Sequence, residues 1–205
     1  MVKKFAIFFF CGFLTFSMQG QNFGGGIILG VSSSQVNGDN LGGFNKAGLL
    51  AGVFANKSIS ELLSFQMEMN YIQKGSNNPN MNNTEHRNYN KQDITLSYIE
   101  IPFLLKYKQS EFIELNGGIM TAYLLDGYYN DYIGKIDGSP PFKKYDFGIL
   151  LGMNYKYSNK IGLNTRITNS IFPIGKEDSI FSNTYNSRFK GKYNSVNIFA
   201  INYTI

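Results

Sequence analysis

The sequence predicts an all-β protein, an eight-stranded antiparallel up-and-down transmembrane β-barrel with short periplasmic turns and long external loops. Apolar and polar residues alternate in eight segments after residue 21, which is typical of strands with one apolar and one polar face. The connectors between these segments are alternately long and short, so all the long loops emerge on one side of the sheet. No stretch after residue 21 shows a 3.6-residue period of helical length.

Each predicted strand is defined by its own alternation. The clearest example places Phe65 and Met67 on one face and Gln66 and Glu68 on the other. Because successive side chains of a strand point to opposite faces, each segment presents a continuous apolar face. The eight predicted strands span residues 27–34, 47–56, 62–74, 98–107, 112–124, 146–157, 161–170 and 196–205.

The connectors decide between architectures. In lipid every backbone polar group needs an internal partner, so strands can cross a membrane only as a closed sheet. With eight strands, the apolar faces point to lipid and side chains fill the lumen, so we expect no porin-sized channel. The short connectors are 57–61, 108–111 and 158–160, and the long ones are 35–46, 75–93, 125–145 and 171–194.

The first 20 residues have the pattern of an export signal. Lys3 and Lys4 precede an apolar run from Phe5 to Phe16, and small or polar residues follow it. This order predicts a cleaved signal peptide over residues 1–20 and one barrel domain over residues 21–205 in the cell outer membrane. The run holds about a dozen apolar residues, fewer than the roughly 20 that a spanning helix needs.

Composition excludes several classes of protein. The chain has one cysteine, Cys11, and one histidine, His86, so neither a zinc site nor a disulfide framework is expected. Loss of residues 1–20 reduces the net charge from +5 to +3, and no cluster of Lys and Arg exceeds a pair. We therefore expect no nucleic-acid partner, no cofactor, no metal and no catalytic residue, and we predict that the protein is not an enzyme.

Charged residues on the polar faces predict an internal cluster. Counted from the short turns, Glu68, Glu100 and Arg166 fall near mid-height, and two carboxylates at one level repel each other unless a cation shares the site. We predict that Arg166 lies close to Glu68 and Glu100 and closes the lumen to ions. Lys106 and Glu114 flank a short turn and form a second predicted pair. The alternative is that these charges are solvated independently in the lumen.

Aromatic residues near the strand ends predict the borders of the membrane. Girdles of aromatic residues flank the apolar band of outer-membrane barrels at both interfaces. Tyr71 is placed at the loop side, and Tyr107, Tyr155, Tyr157 and Tyr203 are placed at the turn side. The alternative is that tyrosine simply favours strands.

Several segments resemble one family. Tyr98–Tyr107 is similar to a strand of the PorT-like, porin-family outer-membrane β-barrel domain proteins of Bacteroidetes, and Glu68–Gly75 is similar to a strand end of that family. Leu115–Gly118 and Asp146–Gly148 follow in the family's order. The resemblance covers essentially the whole chain after the signal peptide. It implies a barrel in the outer membrane of a Gram-negative cell, and its name implies a role beside protein secretion.

Three functions are compatible with these features. The first is a structural or interaction role, in which loops 75–93, 125–145 and 171–194 meet an external protein or polysaccharide. The second is a narrow pore or an accessory component of outer-membrane transport or protein secretion. The third is a lipid-modifying barrel enzyme that uses His86. A soluble lipocalin-type barrel is a further alternative, and it requires the apolar faces to point inward.

Two partners follow from the predicted location. Outer-membrane lipid contacts the apolar faces, and the outer-membrane assembly machinery acts on the last strand. Such barrels usually end in an aromatic residue, whereas here Ile205 is last and Tyr203 provides the aromatic side chain two residues earlier.

Overall fold

A computed structural model of the 205-residue chain describes residues 23–39, 41–79, 93–130, 134–135, 142–175 and 191–205. The predicted signal peptide, residues 1–20, lies outside this described part. The described residues contain no helix that is long and apolar enough to cross a membrane. They form eight strands, β1 (Phe23–Asn37), β2 (Lys46–Ser58), β3 (Leu63–Ser76), β4 (Asp93–Lys108), β5 (Ile113–Asn130), β6 (Tyr145–Lys156), β7 (Ile161–Ser170) and β8 (Tyr193–Thr204).

The strands form a closed antiparallel barrel. Neighbours in the chain pair with each other, and β8 pairs with β1 to close the sheet. Following the paired residues around the barrel from Gly24 leads back to Ser34, ten residues further along β1. Such a stagger tilts the strands relative to the barrel axis. The structure confirms the predicted eight-stranded up-and-down barrel.

Three tight turns at one end of the barrel share a hydrogen-bond pattern. In the β2–β3 turn, the Ser60 hydroxyl accepts the N–H of Leu63 at 3.1 Å. Ser110 and Ser158 do the same for the residue three positions later, again at 3.1 Å. A serine side chain that bonds nearby backbone stabilises a turn. We call this end of the barrel the turn end, and the opposite end, where the long connectors lie, the loop end.

Apolar side chains cover the outside of the barrel. On β6, Leu151 points outward and is 71% exposed, whereas its neighbour Leu150 points inward and is 1% exposed. The same alternation leaves Leu49, Ile119 and Phe199 exposed on other strands. The outward direction of these faces contradicts the lipocalin-type alternative, in which they would line the interior.

At the loop end the polarity of the two faces is reversed. Ile94 and Leu96 of β4 point inward and are fully buried, whereas Thr95 and Ser97 lie on the outer face. This reversal corrects the predicted strand ends, because β4 begins at residue 93 instead of 98 and β5 ends at residue 130 instead of 124. The prediction followed the outward apolar face, which stops before the strands do. The inward residues join an apolar core with Val36, Leu124, Phe142, Ile174 and Val196.

Candidate functional site in the barrel lumen

Arg166 and Glu68 form a buried ion pair near the middle of β7 and β3. The two Nη atoms of Arg166 donate to the two carboxylate oxygens of Glu68, each at 2.8 Å, and both side chains are fully buried. Gln66 and Asn70 donate to the same carboxylate at 2.7 and 2.8 Å, and Arg166 Nε donates to Asn164 at 3.1 Å. These additional hydrogen bonds satisfy atoms that burial would otherwise leave unpaired.

Glycines that face the lumen leave space for this network. A Cβ atom at Gly152 would lie 2.7 Å from the Cβ atom of Arg166, and one at Gly52 would lie 2.1 Å from Asn70 Oδ1. Both distances are too short for non-bonded atoms. The absence of a side chain at these two positions therefore allows the large charged and amide groups to fit inside a narrow barrel.

Glu100 is bound by Lys74 and not by Arg166. The Lys74 ammonium donates to Glu100 Oε2, and both side chains are fully buried. The same ammonium lies 5.3 Å from the ring centroid of Tyr98. Of the predicted cluster, Arg166 and Glu68 are in direct contact, whereas Glu100 is bound by Lys74, a residue that the prediction did not include. Repulsion between the carboxylates is relieved because each has its own cation.

Apolar side chains fill the lumen together with the ion pairs. Leu50, Met120, Leu150 and Ile198 point inward, and each is at most 2% exposed. A water-filled path would leave the side chains beside it accessible to solvent. The described side chains therefore close the lumen at this level.

The turn end of the lumen opens into a polar cavity of about 310 Å³. There Glu114 binds two lysines, with Lys106 Nζ 2.7 Å from one carboxylate oxygen and Lys156 Nζ 2.7 Å from the other. Lys106 also donates to Gln66 at 3.3 Å, and Gln66 donates to Glu68. The structure thus places the predicted Lys106 and Glu114 in contact. The structure also places Lys156 against Glu114, a contact that was not predicted. The alternation of residues 146–157 puts Lys156 on the polar face, which was the signal that could have identified it.

Two more carboxylates are buried at the loop end. Asp146 is 1% exposed and accepts a hydrogen bond from Asn194 at 2.9 Å. Asp39 follows the end of β1 and accepts the N–H of Leu41 at 2.8 Å. Burial raises the pKa of the Asp39 carboxyl above its ordinary value, although its hydrogen bonds and the charge of Lys192 act in the opposite direction.

The predicted border tyrosines lie on the outer faces of the barrel. Tyr71 is on β3, where its hydroxyl contacts Gln73 and Ser97 at 3.2 and 3.3 Å. Their part in marking the membrane borders stays a prediction. The other four lie at the turn end and are 40–73% exposed: Tyr107, Tyr155, Tyr157 and Tyr203.

The candidate residue for lipid chemistry, His86, lies outside the described residues. Within the described ranges, no three His, Cys, Asp or Glu side chains are grouped so that they could hold a metal ion.

The family of the chain follows from its sequence and fold together. Residues 18–175 match the family model of the outer membrane protein beta-barrel domain. The chain belongs to this family. The outer membrane protein therefore lies in the cell outer membrane, with its turn end on the periplasmic side.

Two solved bacterial barrels are similar to this outer membrane protein. Ail of Yersinia pestis, in complex with the heparin analogue sucrose octasulfate, is 10% identical with a TM-score of 0.51, and the match covers 89% of this chain and 99% of Ail. Neisserial surface protein A (NspA) is 13% identical with a TM-score of 0.55, and the match covers 89% and 97%. At these identities the likeness shows the fold alone. No curated protein matches the chain.

Proposed function

We propose that this protein is a closed outer-membrane barrel that acts through its external loops and not as a pore. The observation that carries the proposal is the closed lumen. Two buried ion pairs and inward apolar side chains fill it, and Leu50, Met120, Leu150 and Ile198 are each at most 2% exposed. A barrel of this kind offers its loops to the medium on a rigid support, as binding loops on other scaffolds do.

The charge of one loop favours an acidic external partner, and we propose a polysaccharide. Residues 171–194 contain four basic residues, of which Lys192 is buried, and two acidic ones, whereas the other two loops carry equal numbers of each. Much of loops 75–93, 125–145 and 171–194 lies outside the described residues. The crystal structure of Ail with sucrose octasulfate supports the proposal, because a barrel of the same fold binds a sulfated sugar.

The closed lumen is tested by conductance measurements. The purified protein, refolded and reconstituted into a planar bilayer, is expected to give no current steps above those of a protein-free bilayer. Reproducible unitary steps in the wild-type protein would contradict the closed-barrel proposal and favour the narrow pore.

Loop binding is tested with sucrose octasulfate as the probe and sucrose as its uncharged control. Arg188→Ser together with Lys190→Ser is expected to weaken binding several-fold, because two cations of loop 171–194 are lost. The matched control is Lys57→Ser together with Lys108→Ser, which changes the net charge equally at the turn end and leaves the lining of the turn-end cavity intact. Equal weakening by both double variants would show a general charge effect and contradict loop binding.

A role beside protein secretion is the second candidate. It rests on the resemblance of Tyr98–Tyr107 and Glu68–Gly75 to PorT-like barrels. Deletion of the gene is then expected to reduce the amount of secreted protein in the medium. An unchanged set of secreted proteins would contradict it.

Lipid modification through His86 is tested separately, since activity retained in His86→Ala would eliminate it.

A further inference from the structure

We propose that the cavity at the turn end of the lumen binds a small anion that also carries hydroxyl groups, such as a sugar phosphate or a sugar carboxylate. The cavity measures about 310 Å³, which is at the lower end of the range for small-molecule sites. It opens on the periplasmic side, and the filled lumen closes it from the opposite side. A ligand therefore reaches it from the periplasm without crossing the membrane.

The charges in the cavity favour an anion. Two ammonium groups, those of Lys106 and Lys156, share the single carboxylate of Glu114. This group of three has an excess of one positive charge. The Glu114 carboxylate also accepts a hydrogen bond from Asn154 at 3.2 Å, so its oxygens are already well supplied with donors. The lysines and not the glutamate are therefore the groups that can take a new partner.

The lysines keep donors for a ligand. An ammonium group has three N–H bonds, and among the described contacts Lys106 uses two of them, on Glu114 and Gln66, while Lys156 uses one. The Lys156 side chain is 42% exposed at the mouth. A phosphate or carboxylate placed here would accept charge-assisted hydrogen bonds from both lysines.

A buried acceptor in the same cavity favours hydroxyl groups on the ligand. Asn202 lines the cavity and is 6% exposed. Its Nδ2 donates to Asn154 at 3.3 Å, whereas its Oδ1 has no hydrogen-bond partner among the described residues. The Oδ1 atom is covered by protein atoms, so a rotation of the Asn202 amide is needed to bring it to a ligand hydroxyl. That contact would relieve the desolvation cost of a buried acceptor without a partner. An inorganic anion without a hydroxyl group, such as sulfate, would bind the lysines but has no O–H to donate to Asn202 Oδ1.

The experiment is a calorimetric titration of the full mature chain, refolded in detergent or nanodiscs. The probes are glucose 6-phosphate and glucuronate, with neutral glucose and sulfate as references. We expect saturable binding of the two charged sugars, at least about fivefold tighter than either reference, which corresponds to the loss of roughly one hydrogen bond. The two probes also distinguish a phosphate from a carboxylate ligand.

Matched variants assign the binding to the cavity. Lys156→Gln is expected to weaken binding of the charged sugars about tenfold, because one charge-assisted hydrogen bond is lost. Lys57→Gln is the control, since Lys57 lies at the same end but on the outer face of β2, where its ammonium is 5.5 Å from the Phe23 ring centroid. Asn202→Leu is expected to weaken binding of the charged sugars and to leave binding of sulfate unchanged.

Three results would overturn the proposal. The first is that neither charged sugar gives saturable binding. The protein must be shown to be folded by its altered gel migration before boiling. The second is equal weakening by Lys156→Gln and Lys57→Gln. The third is sulfate binding as tightly as the charged sugars, which would remove the role given to the hydroxyl groups and Asn202.

Discussion

Buried charges in this barrel are tolerated where a partner lies within hydrogen-bond distance. The Arg166–Glu68 pair has two direct hydrogen bonds, and Gln66, Asn70 and Asn164 satisfy the atoms that remain. An unpaired charge at the same place would carry the full cost of its desolvation. The pair is therefore best understood as a unit whose members depend on each other.

Removal of one member of this pair is expected to destabilise the barrel strongly. Arg166→Gln leaves the Glu68 carboxylate buried without a cation, at a cost of about 3–5 kcal/mol in the free energy of unfolding. Adding Glu68→Gln removes the charge and keeps one acceptor oxygen, for Gln66 or Asn70, so the double variant is expected to recover most of the loss. Urea unfolding in lipid vesicles measures both. A double variant as unstable as the single one would contradict the pairing.

Asp39 is expected to make stability depend on pH. Its pKa is raised by burial, so the folded state holds this proton more tightly than the unfolded state does. The stabilisation from the bound proton is present below the unfolded pKa and is lost as pH rises through the folded pKa. Asp39→Asn keeps the acceptor for Leu41 and removes the titration. The variant should therefore gain stability relative to wild type as pH rises above 3.8, the ordinary pKa of this carboxyl. A difference in stability between variant and wild type that stays constant with pH would contradict this.

The sequence places charged residues on a face and at a height, and it does not identify their partners. Arg166 and Glu68 share both properties, and the structure brings them together. Lys74 shares the face but lies four residues beyond Asn70, which pairs with Glu100 in the sheet. Its long, flexible side chain reaches back along the lumen to Glu100. That reach depends on the rotamer and on the tilt of the strands, and neither is readable from alternation.

At the scale of the strand, β4 shows how one alternating sequence serves two environments. From the turn end as far as Ile99, the outward residues of β4 are apolar. Between Ile99 and the loop end, the apolar residues are instead the inward Ile94, Leu96 and Tyr98. The membrane part of β4 has the polarity of a lipid-exposed strand, and the loop-end part has that of a soluble protein. Alternation therefore continues while its phase changes. The outward apolar phase predicts the strand from residue 98, and the extension to residue 93 has the opposite phase.

The reversed polarity predicts that Leu→Ala substitutions at two positions near the loop end lower the free energy of unfolding by different amounts. Leu96 is 0% exposed and Leu125 is 53% exposed. Leu96→Ala leaves a cavity in the loop-end core and is expected to cost about 2–5 kcal/mol. Leu125→Ala, the matched control, is expected to cost about 0.5 kcal/mol or less. Urea unfolding in vesicles measures the difference, and equal costs would contradict an apolar core inside this part of the barrel.

At the scale of the whole molecule, closure makes the fold possible in lipid. β8 pairs with β7 on one side and with β1 on the other, and the backbone of Ile205 donates to Gly25 beyond the last strand pair. Closure leaves no strand edge to expose unpaired N–H and C=O groups in the bilayer. It also explains why the strand count and the loop pattern were predictable, since only a complete cycle of alternating strands satisfies the backbone.

A chain that ends after Lys192 lacks β8, so closure predicts that it cannot form the folded barrel. β1 and β7 would then each carry an unpaired edge, and every unsatisfied backbone group in lipid costs several kcal/mol. The control removes residues 181–186 from the β7–β8 connector and keeps every strand, a change that loops tolerate. Outer-membrane fractions run on gels with and without boiling report the folded form. Wild type and the loop deletion should both change position on boiling, whereas the truncated chain should not. A heat-dependent shift in the truncated chain would show that β8 is dispensable and would contradict a barrel closed by its pairing with β1.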